Sequence, residues 1–221
     1  MAGSLKPFYI GLGVIALAGA TLIYAARSRG GDVTAVDVPP LAPGGAVFEG
    51  HVIGGDSAPV TIIEYADFEC PACAQFAILT GPDIKQRLVA TGQVRWIFRD
   101  LPLSMHRNTM SAHHAAQCAG EQGRFWEMHD QIFFNHGRWV PERRPERALR
   151  DLAHAILVDR GRYDECMSSN RYMPRLQQLQ ADAAARGISS TPTFEIGGQR
   201  VSGALHYDEL KRLVDRAAAA R

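Results

Sequence analysis

The sequence predicts an α/β sandwich interrupted by a block of helices and preceded by an N-terminal transmembrane helix. Three observations predict it. The β-rich run Val60-Thr-Ile-Ile-Glu-Tyr65 leads into Ala74, Phe76, Ala77, Ile84 and Leu88 at helical spacing. After Gly92, Val94-Arg-Trp-Ile-Phe98 alternates as a second strand, so the segment is a βαβ unit with parallel pairing. From about residue 107 to 186 turn signals thin out and apolar residues recur at three and four, before strand character returns at Thr193.

Residues 8–26 carry no charge and are just long enough to cross a bilayer core as a helix. Residues 1–26 are therefore an N-terminal membrane anchor or signal segment. An uncleaved anchor is favoured, because cleavage at Ala18-Gly19-Ala20 would leave the apolar stub Thr21-Leu-Ile-Tyr24. Lys6 on one side and Arg27 and Arg29 on the other leave its orientation open. Residues 27–50, with Gly30-Gly31, Pro39-Pro40, Pro43 and Gly44-Gly45, read as a flexible linker. Such a chain spans roughly 25 Å, enough to hold a domain just off a membrane.

Residues 51–221 form the globular domain. His51-Val-Ile53 reads as a short strand and Asp56-Ser-Ala-Pro59 as the turn that delivers the chain into the run at Val60. In the helical block, about 107–186, Phe125, Met128, Ile132 and Phe133 mark one apolar face, and Leu149, Leu152, Ile156 and Leu157 another. Phe125 and Trp126 are read as core. Gly197-Gly198 suits a hairpin between Thr193-Phe-Glu-Ile196 and residues 199–202, and a helix from about His206 to Ala219 closes the chain.

The 24 basic and 23 acidic residues give a net charge of +1, which leaves no electrostatic footprint for nucleic acid. Four cysteines are too few to build a disulfide mini-fold. The first two, in Cys70-Pro71-Ala72-Cys73, sit where strand gives way to helix. There the unpaired N–H groups and the helix dipole stabilise the thiolate of Cys70, and Pro71 fits a first turn that does not use its missing N–H. Such a pair is a reversible redox couple. Eight histidines, among them His113-His114, His129, His136 and His154, show no spacing that joins Cys70 and Cys73 in a metal site. Arg143, Arg144 and Arg147 read as a solvated loop.

Three stretches together are specific: Glu64-Tyr-Ala-Asp-Phe-Glu-Cys-Pro-Ala-Cys73, Gly123-Arg-Phe-Trp-Glu-Met-His129 and Gly187-Ile-Ser-Ser-Thr-Pro-Thr-Phe194. On these the chain resembles the DsbA-like thiol-disulfide oxidoreductases of the thioredoxin superfamily, over about Gly50 to Ala219. The resemblance implies a thioredoxin fold with a helical insertion and a cis bond at Thr191-Pro192 lying against the cysteine pair. That bond would turn the Thr191 backbone outward, where an extended substrate pairs. It also implies an acid, Glu64, below the buried cysteine. A carboxyl there takes the Cys73 proton if burial raises its pKa. Strand alternation alone leaves Glu64 on either face.

Cys70, the more exposed cysteine at the helix N-terminus, is then the nucleophile and Cys73, one turn further in, the buried partner, exchanging disulfides with exported proteins. Pro71-Ala72 lacks the histidine common in the strongest oxidants of that family, so the direction of electron flow stays open. Asp67 and Glu69 are expected to be solvated. Cys118 and Cys166 are read as a structural disulfide between two helices; two free thiols or a second redox pair are the alternatives. Closing that loop stabilises the block by roughly 3 to 4 kcal/mol. The expected setting is the cytoplasmic membrane, single-pass, with the domain on its periplasmic or extracellular side. No organic cofactor is called for, and a membrane redox partner recycles the dithiol. Two other classes use the same surface: a non-catalytic polypeptide-binding chaperone, or a copper-binding protein with Cys70 and Cys73 as soft ligands.

Overall fold

The structure, a computed structural model, describes residues 36–37 and 50–220. The predicted membrane segment, residues 1–26, and nearly all of the 27–50 linker lie outside the described residues. Among the described residues no helix is long and apolar enough to cross a membrane.

The strands are β1 (Val36–Asp37), β2 (His51–Ile53), β3 (Val60–Ala66), β4 (Val94–Asp100), β5 (Thr193–Ile196) and β6 (Gln199–Ser202). They form one sheet in the order β1-β6-β5-β3-β4-β2. β3 is central. It pairs parallel with β4, from Val60 opposite Val94 to Ala66 opposite Asp100, and antiparallel with β5. Its β-branched, largely apolar sequence suits a strand covered on both faces.

Helix α1 (Pro71–Leu79) leaves the end of β3, and helix α9 (Tyr207–Ala219) closes the chain. Both cover one face, where Ile62, Trp96, Phe194 and Ile196 meet Phe76, Ile84, Leu210 and Val214. The single helix expected through Leu88 is broken into α1, α2 (Gly81–Ile84) and a π-helical turn at Lys85–Val89. Pro82 has no N–H to continue the ladder. Thr80 Oγ1 fixes the break by donating to Leu205 O at 3.0 Å. The β5–β6 turn places Gly197 and Gly198 at φ of +56° and +79°. A Cβ on Gly197 would lie 2.5 Å from that of Ala217 in α9, so the turn also needs glycine for space.

The helical block holds α3 (Thr109–Gly120), α4 (Phe125–Phe134), α5 (His136–Trp139), α6 (Glu146–Ala155), α7 (Arg160–Ser169) and α8 (Met173–Ala185). Its core joins Ala112, Ala115, Ala116 and Ala119 of α3 to Met128, Ile132, Trp139, Leu149 and Tyr163. Phe125 is part of this core, while Trp126 is half-buried and donates its indole N–H to Val52 O at 3.0 Å. α8 returns to the second face of the sheet, where Ala183 packs with Tyr65, Leu101 and Ile188. The result is a mixed α/β, thioredoxin-like fold with an inserted helical block.

A disulfide between Cys118 and Cys166 ties α3 to α7, with Cα atoms 5.7 Å apart. Its sequence separation of 48 corresponds to about 4 kcal/mol of loop-closure entropy. Replacing both cysteines with alanine is expected to lower the free energy of unfolding by about that amount. Urea titration of wild type and double variant measures it, and equal midpoints would show that the bond carries no such load.

Candidate active site

Cys70 is the N-cap of α1, with extended backbone at φ −72° and ψ 122°, and Pro71 opens the helix. The first-turn N–H groups of Ala72 and Cys73 therefore face the Cys70 sulfur. Its thiol pKa is lowered to about 5. The Cys73 thiol contributes most, and the Thr191 hydroxyl and the Cys73 and Ala72 N–H groups add to it against the opposing effect of burial. Both cysteines are buried, Cys70 with 7% exposure and Cys73 with none, so of the two only Cys70 keeps any contact with solvent. Burial first, then the hydrogen bond with Cys70 and the charge of that partner, pushes the Cys73 thiol well above the ordinary range. Both thiols are free.

The chain brings Thr191 and Pro192 to the same place from the other side. Their peptide bond is cis, and the Cys70 thiol donates to Thr191 O at 3.4 Å. Pro192 O accepts from Gly203 N at 2.8 Å, tying this segment to the end of β6.

Glu64 lies in mid-β3 with no exposure, accepting the Trp96 indole N–H at 3.0 Å. Burial raises its carboxyl to about 8, against the Trp96 hydrogen bond and the charge of Lys85. Its charge acts on Cys73, and the pKa puts a carboxyl able to gain or lose a proton near neutrality beside a buried thiol.

Asp67 and Glu69 are not solvated. Asp67 has no exposure and is the hub of the loop. Its Oδ1 accepts from Glu69 N at 2.8 Å and from the Thr109 hydroxyl, and its Oδ2 from Leu103 N at 2.7 Å. His106 Nδ1 lies 2.8 Å from Oδ2 and His113 Nε2 lies 3.8 Å from Oδ1. Burial opposes the charge, but His113, Thr109 and Leu103 hold the carboxyl well below the usual range. Glu69 accepts from Asn108 N at 2.6 Å, and its carbonyl lies 2.9 Å from His136 Nε2. Leu103, His106, Asn108 and Thr109, which lead into the helical block, thus surround the charges expected to face water. The one signal for this in the sequence is the Asp-x-Glu spacing, which suits an Asx turn; His106, Thr109, His113 and His136 carry no local sign of it.

His113 bridges two carboxylates, with Nδ1 2.6 Å from Asp100 Oδ1. Burial lowers its pKa, yet Asp100 and Asp67 reverse the shift and raise it to about 9. Among the described residues, one histidine-cysteine cluster has ligand atoms within 4.8 Å of one another, His114 with Cys118 and Cys166, and its two sulfurs are bonded to each other.

These charges set two measurable properties, the reactivity of Cys70 and the pH dependence of stability. The Cys70 thiolate is expected to form with a midpoint near pH 5 and to be lost as the pH falls through it. Thiolate absorbance and alkylation rate against pH read this directly, and a midpoint near the ordinary value of about 8.5 would overturn it. The second concerns stability. Asp67, held low, stabilises the fold above about pH 4 and ceases to as the pH falls below that. His113, raised to about 9, contributes fully below about pH 6.5 and loses its contribution as the pH rises through about 9. Urea midpoints are expected to fall between those two values, His113→Gln flattening the fall and Asp67→Asn costing about 3 kcal/mol near neutrality. Wild-type midpoints that stay level across that range would refute the charge assignment.

Residues 47–216 match the family model described as Thioredoxin. Na(+)/H(+) antiporter NhaA 3 of Salinispora tropica is 38% identical over 170 residues, covering 76% of this chain and 25% of that protein. Na(+)/H(+) antiporter NhaA 1 of Salinispora arenicola is 36% identical with the same coverage, 76% and 25%. The chain thus spans about a quarter of the length of these curated relatives. Chlamydia trachomatis DsbA shares the fold with a TM-score of 0.71 and 21% identity, over 83% of this chain and 99% of that one. Oxidised BdbD from Bacillus subtilis does so with a TM-score of 0.69 and 23% identity, over 84% and 98%. With a matched family model over most of its length and the fold of DsbA proteins, the chain belongs to the thioredoxin family.

Proposed function

We propose that this protein is an extracytoplasmic thiol-disulfide oxidoreductase that inserts disulfides into exported polypeptides. The observation that carries it is the contrast within one pair: Cys70, the less buried of the two, with a pKa of about 5, against a sealed Cys73 pushed far the other way. Stabilising the Cys70 thiolate stabilises the reduced form, which makes the oxidised form an avid acceptor of electrons. That favours the oxidising direction, which the sequence leaves open.

In the oxidised enzyme a substrate thiolate attacks Cys70 Sγ, breaking the Cys70–Cys73 bond and forming a mixed disulfide. The electron pair leaves on Cys73, whose proton Glu64 supplies. A second substrate thiolate then attacks the substrate sulfur, and Cys70 departs as the thiolate that the α1 N-terminus holds. Two electrons move from substrate dithiol to enzyme dithiol. Thr191 O, paired with the Cys70 thiol at 3.4 Å, is released once Cys70 is ionised or bonded and accepts a backbone N–H of the extended substrate beside Pro192. The Cys118–Cys166 bond serves as structural support for the helical block.

An extracytoplasmic domain held by residues 1–26 through the 27–50 linker suits this chemistry, since disulfides persist there. Relatives named as Na(+)/H(+) antiporters support a setting at a membrane. A redox partner in that membrane would reoxidise the dithiol; the ion exchange named for those relatives is separate chemistry.

Cys73→Ala expressed in the host is expected to trap exported proteins as mixed disulfides on Cys70, seen as bands that collapse on reduction. The wild-type couple is expected to lie well above the thioredoxin potential of about −270 mV. A potential near that value would make it a reductase. Activity that survives Cys70→Ser would instead favour a chaperone, and stoichiometric copper without exchange activity a metal carrier.

A further inference from the structure

Buried titratable groups with polar atoms that lack hydrogen-bond partners among the described residues include two around Trp96 and Phe98. The two atoms are Glu64 Oε1 and His129 Nε2. Glu64 stands opposite Phe98 in the β3–β4 register and takes the Trp96 N–H. The His129 ring meets Phe98 edge-on with centroids 5.1 Å apart, and Trp96 at 6.4 Å. Residues opposite each other on paired strands lie about 5 Å apart at Cβ. Glu64 and His129 therefore share the same two aromatic neighbours, and the charge of Lys85 reaches both.

The other nitrogen of His129 leads outward. Nδ1 lies 2.8 Å from Asp130 Oδ1, and the Asp130 side chain is 54% exposed and paired with Lys85 Nζ at 2.6 Å. An imidazole that gives its Nδ1 proton to a carboxylate presents a bare acceptor at Nε2. Burial keeps the ring neutral against the pull of Asp130, while Lys85 lowers its pKa further and the more distant Asp100 raises it. His51, itself held neutral by burial, is a further basic group in electrostatic reach, and His113 packs against the same Phe68 and Phe98 rings as His129.

We infer that His129, with Asp130, carries the proton held by Glu64 out to solvent when Cys73 is deprotonated and brings it back in the opposite half-reaction. This rests on the disulfide-exchange reading with Glu64 as the base. When Cys73 attacks a mixed disulfide on Cys70, its proton passes to Glu64. Glu64 protonates His129 Nε2, and the Nδ1 proton leaves through Asp130. The ring ends as the other tautomer. When Cys73 is next released as a thiolate, a proton enters at Nδ1, the Nε2 proton returns through Glu64, and the first tautomer is restored without a ring flip.

The step is isolated by loading Cys70 with the nitrothiobenzoate group of Ellman's reagent. Attack by Cys73 forms the Cys70–Cys73 bond, breaks the aryl disulfide and releases a coloured thiolate, and one proton must depart. Near neutral pH, His129→Phe and Glu64→Gln are each expected to slow release by about tenfold or more. The deficit should close as hydroxide rises, and added imidazole should restore part of the His129→Phe rate. Asp130→Asn should slow release in the same sense, and the Cys70 thiolate midpoint should stay where it is. A folded His129→Phe with the wild-type pH–rate profile, beside a slow Glu64→Gln, overturns the relay and leaves the exchange reading standing. Wild-type rates in both overturn the relay together with the role of Glu64. Should His129→Phe fail to fold, an unaltered profile in Asp130→Asn overturns it. Absence of release from the wild-type adduct overturns the exchange reading itself.

Discussion

One buried carboxylate, Asp67, holds the cysteine loop, the sheet and the helical block in register. Its two oxygens gather Glu69 N, Leu103 N, the Thr109 hydroxyl and His106, with His113 alongside. Asp67 O also receives Cys70 N at 3.1 Å, which sets the turn that makes Cys70 an N-cap. A charge so deep is tolerable only because each lone pair is used. Those donors come from the cysteine loop itself and from residues 103–113, so α1 and the start of the inserted block are fixed to one point. His113 extends the same cluster to Asp100 at the end of β4, and Gln117 adds a second bond there at 2.7 Å. The insertion is part of the site in this sense: it brings the Thr109 hydroxyl and His113 to that anion.

That fixed geometry separates three proton-binding groups within a short distance. Cys70 lies at the N-terminus of α1, where N–H groups and the Cys73 thiol favour its anion. Cys73, one helical turn on, is sealed against the core and favours its proton. Glu64, beneath, is raised by burial into the range where it exchanges protons at neutral pH. Desolvation works in the same direction on all three acids, and the outcome differs because hydrogen-bond donors outweigh it at Cys70 alone. On the proposed disulfide-exchange reading, that contrast gives the reaction a direction of attack: the incoming thiolate meets the Cys70 sulfur, and Cys73 resolves the intermediate.

Local sequence carries much of this arrangement, and the reasons are local. The cysteine pair, Pro71 and the preceding β-rich run define a strand-to-helix junction because capping and proline geometry act within one turn. Gly197-Gly198 defines its hairpin because the positive φ values it adopts favour glycine. The length of the helical stretch follows from its three-four periodicity. The break at Thr80 was not legible in that periodicity, since it depends on Leu205 O, contributed by a residue far along the chain. The misplacement of Asp67 and Glu69 has the same origin. A polar residue in a loop reads as solvated unless its partners are known, and theirs lie between 36 and 42 residues further on.

By itself, the sequence determined the chemistry of the site, a dithiol at a helix N-terminus in an α/β framework, because nearest-neighbour geometry suffices for both. The tertiary structure decided the electrostatics. Whether Glu64 faces core or solvent, whether Asp67 is charged and satisfied, and which nitrogen of His129 looks inward all depend on groups brought together across the fold. Burial and hydrogen bonding are collective quantities, and they alone set the pKa values that turn two cysteines into an asymmetric redox pair.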